Sequence, residues 1–206
     1  MAVTLLYPFD AELEPDLRLQ LLGTKAAGLH EMTTLGIPVP PGFTITTKVG
    51  AELRHTDSWP EGLEKAVEDA IEVLEARTGN QFGSAASPLL LSVRSGAQVS
   101  MPGMMDTLLN VGLNDDTLAG LAANHGDERF ALDAYRRLLH MYGSIVRDIP
   151  PDRFQFRLNE LKTELGRSRL PDAELDTPAL RMLVEGYKQL IEEASGAPFP
   201  TDVRTQ

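Results

Sequence analysis

The sequence predicts an α+β protein: a mixed α/β lobe over residues 1–114, then a mainly helical subdomain over residues 115–206. Three observations predict it. Short apolar runs bounded by turn residues, VTLLYPF and LLLSV, lie on either side of an amphipathic stretch of helical period. Beyond Asn114, segments of helical period follow one another, separated by GD, IPPD and RLPD. At the end of the first lobe the 37 residues from Thr78 to Asn114 hold only two charges, Arg94 and Asp106, where average composition gives about nine.

Each element has its own reason. VTLLYPF reads as a short strand closed by Pro8, and AELEPDL as an acidic turn. In LLGTKAAGLHEMTTLG, Ala26, Leu29, Met32 and Thr33 recur at helical spacing, with Thr24 placed to cap the start and Gly36 to end it. The prolines of IPVPPGFTITT force an extended chain before Phe43, Ile45 and Thr47 alternate as in a strand. From Glu61 to Arg77, Leu63, Val67, Ala70, Ile71 and Leu74 form the apolar stripe of a helix closed by Gly79. LLLSV is too short for a helix and reads as a buried strand ending at Arg94. Helices are expected near 115–124, 127–148, 151–166 and 176–195, with Phe130, Leu138, Met141 and Ile145 facing inward on the second. The tail GAPFPTDVRTQ has turn residues and no expected element after it.

Composition narrows the function. Thirty acidic against 19 basic residues give a net charge of −11, which disfavours nucleic acid as the main partner. There is no cysteine, and the four histidines at 30, 55, 125 and 140 lie far apart, so thiolate chemistry and a histidine-based metal centre are not expected. No apolar run approaches the roughly 18 residues of a membrane span, and no signal-like start is present. The chain reads as soluble and cytoplasmic, with no membrane partner.

Two cations stand out. Gly23, Thr24 and Lys25 open a helix, where unpaired N–H groups and the positive end of the helix dipole favour an anion; a solvated surface lysine has the same pattern. Arg94 ends an apolar strand in neutral surroundings, and a guanidinium there needs a carboxylate or a phosphate to grip. The loop SGAQVSMPGMMDT suits an anion. Gly96 and Gly103 permit close backbone approach, Ser95, Ser100 and Thr107 supply hydroxyls, and Met101, Met104 and Met105 offer pliable apolar cover or core filling. Asp106 is placed to help hold a metal ion or to cap the segment after it. Arg137, beside Arg136 on a helix, either reaches a phosphate or makes a surface salt bridge. No GxSxG, HExxH or serine triad is present.

LLGTKAAGLHEMTTLGIPVPPGFTITT followed by LLLSVRSGAQVSMPGMMDTLLNVGLND closely resembles the amino-terminal nucleotide-binding domain of pyruvate, phosphate dikinases, and FALDAYRRLLHMYGSIV and FPTD are similar to that family too. MPGMMDT is its most specific motif. The resemblance implies an ATP-grasp fold in which ATP and magnesium lie between two lobes, with Lys25 and Arg94 on the phosphates and the loop from Ser95 to Thr107 closing over them. It also implies partner domains: one bearing a phosphorylated histidine and one handling pyruvate and phosphoenolpyruvate. Where the family reads GGKGANL this chain has Thr24 and Ala26 for two glycines, which hinders backbone approach to phosphate. The magnesium ligands belong to a second lobe expected after Gln206, and no TSH-like motif is present. The expectation is therefore the leading part of an ATP-dependent phosphotransferase, inactive alone, or a stand-alone nucleotide-binding or docking module derived from it.

Overall fold

The computed structural model describes residues 4–56, 58–95 and 107–206. Its backbone contacts divide the chain into two compact units, Met1–Gly79 with Arg94–Met105, and Asn80–Val93 with Asp106–Gln206. These boundaries differ from a division at residue 114. The reason is packing: Leu108 and Val111 are buried in the same apolar core as the helices that follow them.

In the first unit, β1 (Leu6–Pro8) pairs antiparallel with β2 (Phe43–Ile45), placing Leu6 opposite Ile45 and Pro8 opposite Phe43. Phe9 continues the ladder by donating its N–H to the Gly42 carbonyl at 2.9 Å. A Cβ on Gly42 would lie 2.4 Å from the Phe9 ring, so a larger residue here would have to displace that ring. Helix α1 (Pro15–Thr34) begins well before the expected loop, with Pro15 in its first turn, and takes in the last three residues, Pro15 to Leu17, of the segment read as an acidic turn. It is interrupted at Gly23 and ends in Gly36, whose φ of +74° suits glycine. Sequence periodicity gave no warning of α2 (Thr47–Thr56), which buries only Val49; Thr47, read as strand, instead starts this helix and donates to the Gln20 carbonyl. Helix α3 (Leu63–Thr78) is as its stripe suggests. It buries Leu63, Ile71 and Leu74 and stops at Gly79 in the left-handed conformation.

The second unit holds strand β4 (Thr107–Val111), its partner β3 (Leu91–Arg94) up to Val93, and the helices α4 (Asp115–His125), α5 (Glu128–Met141), α6 (Pro151–Glu164) and α7 (Thr177–Ser195). Leu132, Leu138 and Leu139 of α5, Leu158 of α6, and Leu180 and Ile191 of α7 share one buried core. Two residues expected to face inward, Phe130 and Ile145, are exposed; the inward stripe of α5 runs through Ala131, Leu132, Tyr135, Leu138 and Leu139. A π-helical turn, Tyr142–Val146, follows α5 and shifts the register, which carries Ile145 off that stripe. The tail is tied down. Phe199 packs edge-on against Tyr135 and Tyr142, the Gln206 side chain bonds Gly112 N–H and the Leu113 carbonyl, and Asn114 donates to the Thr201 carbonyl. None of the described helices is long and apolar enough to cross a membrane.

Candidate functional site

The run Leu17, Leu19, Leu21, Leu22 belongs to the first segment of α1, and only Leu21 and Leu22 are buried. At Gly23 the backbone turns to φ 75°, ψ 168°, a combination essentially restricted to glycine, and the helix restarts at Thr24. A helix that restarts leaves its first N–H groups without intrahelical acceptors and directs its positive end outward. Lys25 stands in that first turn with its side chain in solvent, and Gly23 itself is buried. The sequence suggested a loop here. The structure has a single-residue break at Gly23 between two helical segments.

Arg94 is exposed, and this corrects the reading of LLLSV as a buried strand. Burial is complete at Pro88 and Leu89, partial at Leu90 and Leu91, and gone from Ser92 to Ser95. The need of a dry guanidinium for a partner therefore does not arise in this chain by itself. Among the described residues neither Lys25 nor Arg94 is in a salt bridge, and both fall in the first unit. Both remain available to a ligand.

The other candidates divide. Ser95 is exposed after β3, and Thr107 is half-buried at the start of β4. Gly96, Ser100, Met101, Gly103, Met104, Met105 and Asp106 lie outside the described residues. Arg137 makes the surface salt bridge weighed above: it reaches Asp133 at 2.8 Å, and the same carboxylate is held by Arg136 at 2.7 Å. Among the described residues no group of three or more His, Asp or Glu side chains is arranged to hold a metal ion.

Residues 51–147 match a family model described as "Pyruvate phosphate dikinase, AMP/ATP-binding domain". A pyruvate, phosphate dikinase of Giardia intestinalis is 45% identical over 193 residues, which is 94% of this chain and 22% of the relative. The chain is similar to the amino-terminal region of pyruvate, phosphate dikinase. A dikinase of Rhizobium meliloti (strain 1021) is 47% identical over 186 residues, 90% of this chain and 20% of the relative. Pyruvate, phosphate dikinase 2 of Zea mays is 47% identical over 188 residues, 91% of this chain and 21% of the relative. The chain thus spans about a fifth of the length of the curated relatives it matches. Some dikinases at similar identity are chloroplastic, so likeness to them does not assign this chain to the cytoplasm.

Proposed function

We propose that this chain is the leading part of the ATP-binding domain of a pyruvate, phosphate dikinase, an ATP-grasp lobe in which Lys25 and Arg94 grip the triphosphate. The observation that carries the reading is the Gly23 break in α1, which restarts a helix beneath an exposed lysine. Helix-start N–H groups and an ammonium together favour a phosphate, and a guanidinium adds a planar, two-pronged grip on its oxygens. During transfer these cations offset the charge that builds on the moving phosphoryl group. By sequence, the loop residues Ser95, Gly96, Ser100, Met101, Gly103 and Met104 are the candidate cover over the phosphates in this reading.

The complete reaction converts ATP, phosphate and pyruvate to AMP, diphosphate and phosphoenolpyruvate through a phosphohistidine. In this proposal it belongs to a longer assembly with a second ATP-grasp lobe and separate phosphohistidine and pyruvate domains. The described carboxylates do not form a magnesium site, so its ligands are assigned to that second lobe and no step here runs through the metal. By itself the chain is expected to bind Mg-ATP weakly and turn nothing over.

Calorimetric titration with Mg-ATP tests the site in wild type, Lys25→Ala and Arg94→Ala. Each variant is expected to lose about tenfold or more in affinity, the scale of a charge-assisted hydrogen bond. Affinity equal to wild type in both variants removes these residues from the site. Absence of nucleotide binding in the wild-type chain favours the docking module instead, and ATP/AMP exchange by the chain alone overturns its assignment as inactive.

A further inference from the structure

One buried polar group in the first unit has no part in the proposed phosphate site. His30 lies on the second segment of α1, five residues beyond Lys25, and is fully buried. Its ring meets Phe9 edge-on, with centroids 5.7 Å apart. Neither Nδ1 nor Nε2 has a hydrogen-bond partner among the described residues. A neutral imidazole tolerates this as a flat, largely apolar filler, but an imidazolium there carries two N–H donors and a full charge out of water, and the backbone of Ala11 and the Asp10 charge, which favour it, are outweighed by its burial and Arg18.

The charged groups around the ring aggravate the problem. Arg18, from the first segment of α1, is a like charge; its Nη2 donates to the Leu13 carbonyl and its buried Nε is itself unpartnered. Asp10, from the turn after β1, is the favourable neighbour, and it is held by Arg77 of α3 at 2.7 Å. Protonation therefore places a second cation near Arg18, opposite a carboxylate already bonded to an arginine.

We propose that His30 is an acid-sensitive latch: neutral, it seats the segment from Thr24 to Thr34 against Phe9, and protonated, it releases that segment together with the position of Lys25. Burial first, and Arg18 second, hold the folded-state pKa below the ordinary histidine value. The folded form thus takes up the proton less readily than the open form. The latch is fully closed above about pH 6.5, and its opening constant rises by at most tenfold per pH unit as the pH falls from there towards the folded-state value.

Hydrogen exchange of the amides in residues 24–37, corrected for intrinsic rates and compared at pH 7.5 and 5.5, reads the latch directly. Wild type is expected to lose protection several-fold, up to about tenfold. His30→Phe, which keeps an apolar ring and removes the proton site, is expected to lose none. His140→Gln, in the second unit, is expected to lose as much as wild type. Equal loss in wild type and His30→Phe overturns the proposal, as does constant protection in wild type. If His30→Phe does not fold, ring-proton NMR titration of the wild-type chain decides: titration of His30 well below pH 6.5 supports the latch, and titration at or above it overturns it. Neither readout uses nucleotide, so the result stands apart from the fate of the phosphate site.

Discussion

Three of the four long helices of the second unit start on a side chain that closes the first turn. Asn114 forms a reciprocal capping box with Thr117, Asp127 accepts from Phe130 N–H, and Asp176 accepts from Ala179 N–H. In the first unit, α1 and α3 start at Glu14 and Gly62 with no side-chain cap. The cores differ in the same direction. The second unit buries aromatic rings against one another, with Phe154 stacked on His140 and edge-on to Tyr187, whose hydroxyl donates to the Phe154 carbonyl. The first unit relies on a few aliphatic side chains, Leu21, Leu22, Val49, Leu63, Ile71 and Leu74, beside an unpartnered histidine. The comparison teaches a division of labour: caps and apolar volume are concentrated in the second unit, and the glycine break with the exposed Lys25 lies in the first.

The largest effect that tests this contrast is removal of core volume from the second unit. Leu138 is completely buried within its helical core, and Leu138→Ala is expected to cost about 2–5 kcal/mol. Denaturant unfolding checks this. A cost under about 1 kcal/mol would mean that this core is loosely packed and that the contrast between units is wrong.

Next comes the break itself. Gly23→Ala forces a Cβ onto φ 75°, ψ 168° and is expected to cost about 1–3 kcal/mol. It should also weaken nucleotide binding more than thermal stability of the second unit. Differential hydrogen exchange across the two units, with Mg-ATP titration alongside, separates these effects. A variant as stable as wild type with unchanged affinity would show that the break is incidental.

The smallest effect is electrostatic. Hydrogen bonding from Arg77, aided by its charge, holds the Asp10 carboxyl below its usual pKa, and both side chains are about 43% exposed. The pair's contribution is present above the unfolded carboxylate value near 3.9 and is lost as the pH falls through the folded value. Because the pair is solvent-screened, Arg77→Ala is expected to cost at most about 1 kcal/mol at pH 7, and less in high salt. Urea melts at two salt concentrations check the sign.

Much of the helical architecture was legible because helical amphipathicity needs only one buried stripe. The stripe of α3 and its closing Gly79, and the turn residues that separate α4 from α5 and α5 from α6, are local features that a sequence displays. The start of α1, the helix α2 and the strand β4 were not. Their segments bury few side chains or depend on partners distant in sequence, as Thr47 depends on Gln20. Of the candidate site, the residue types and the glycine were readable, and the environment was not: an apolar run cannot say which of its residues another element will cover, and Arg94 emerged exposed.

By itself, then, the sequence determined helix α3 and the run of helices after Asn114, the stops at glycine and the placement of a lysine just after a glycine at a helix start, all set by interactions within a few residues. Tertiary structure decided that Arg94 is exposed, that His30 is buried against Phe9, and that the tail from Phe199 to Gln206 packs on the second core. The physical reason is that helix propensity and capping act over one or two turns, whereas desolvation and charge pairing depend on which distant segments come to lie alongside.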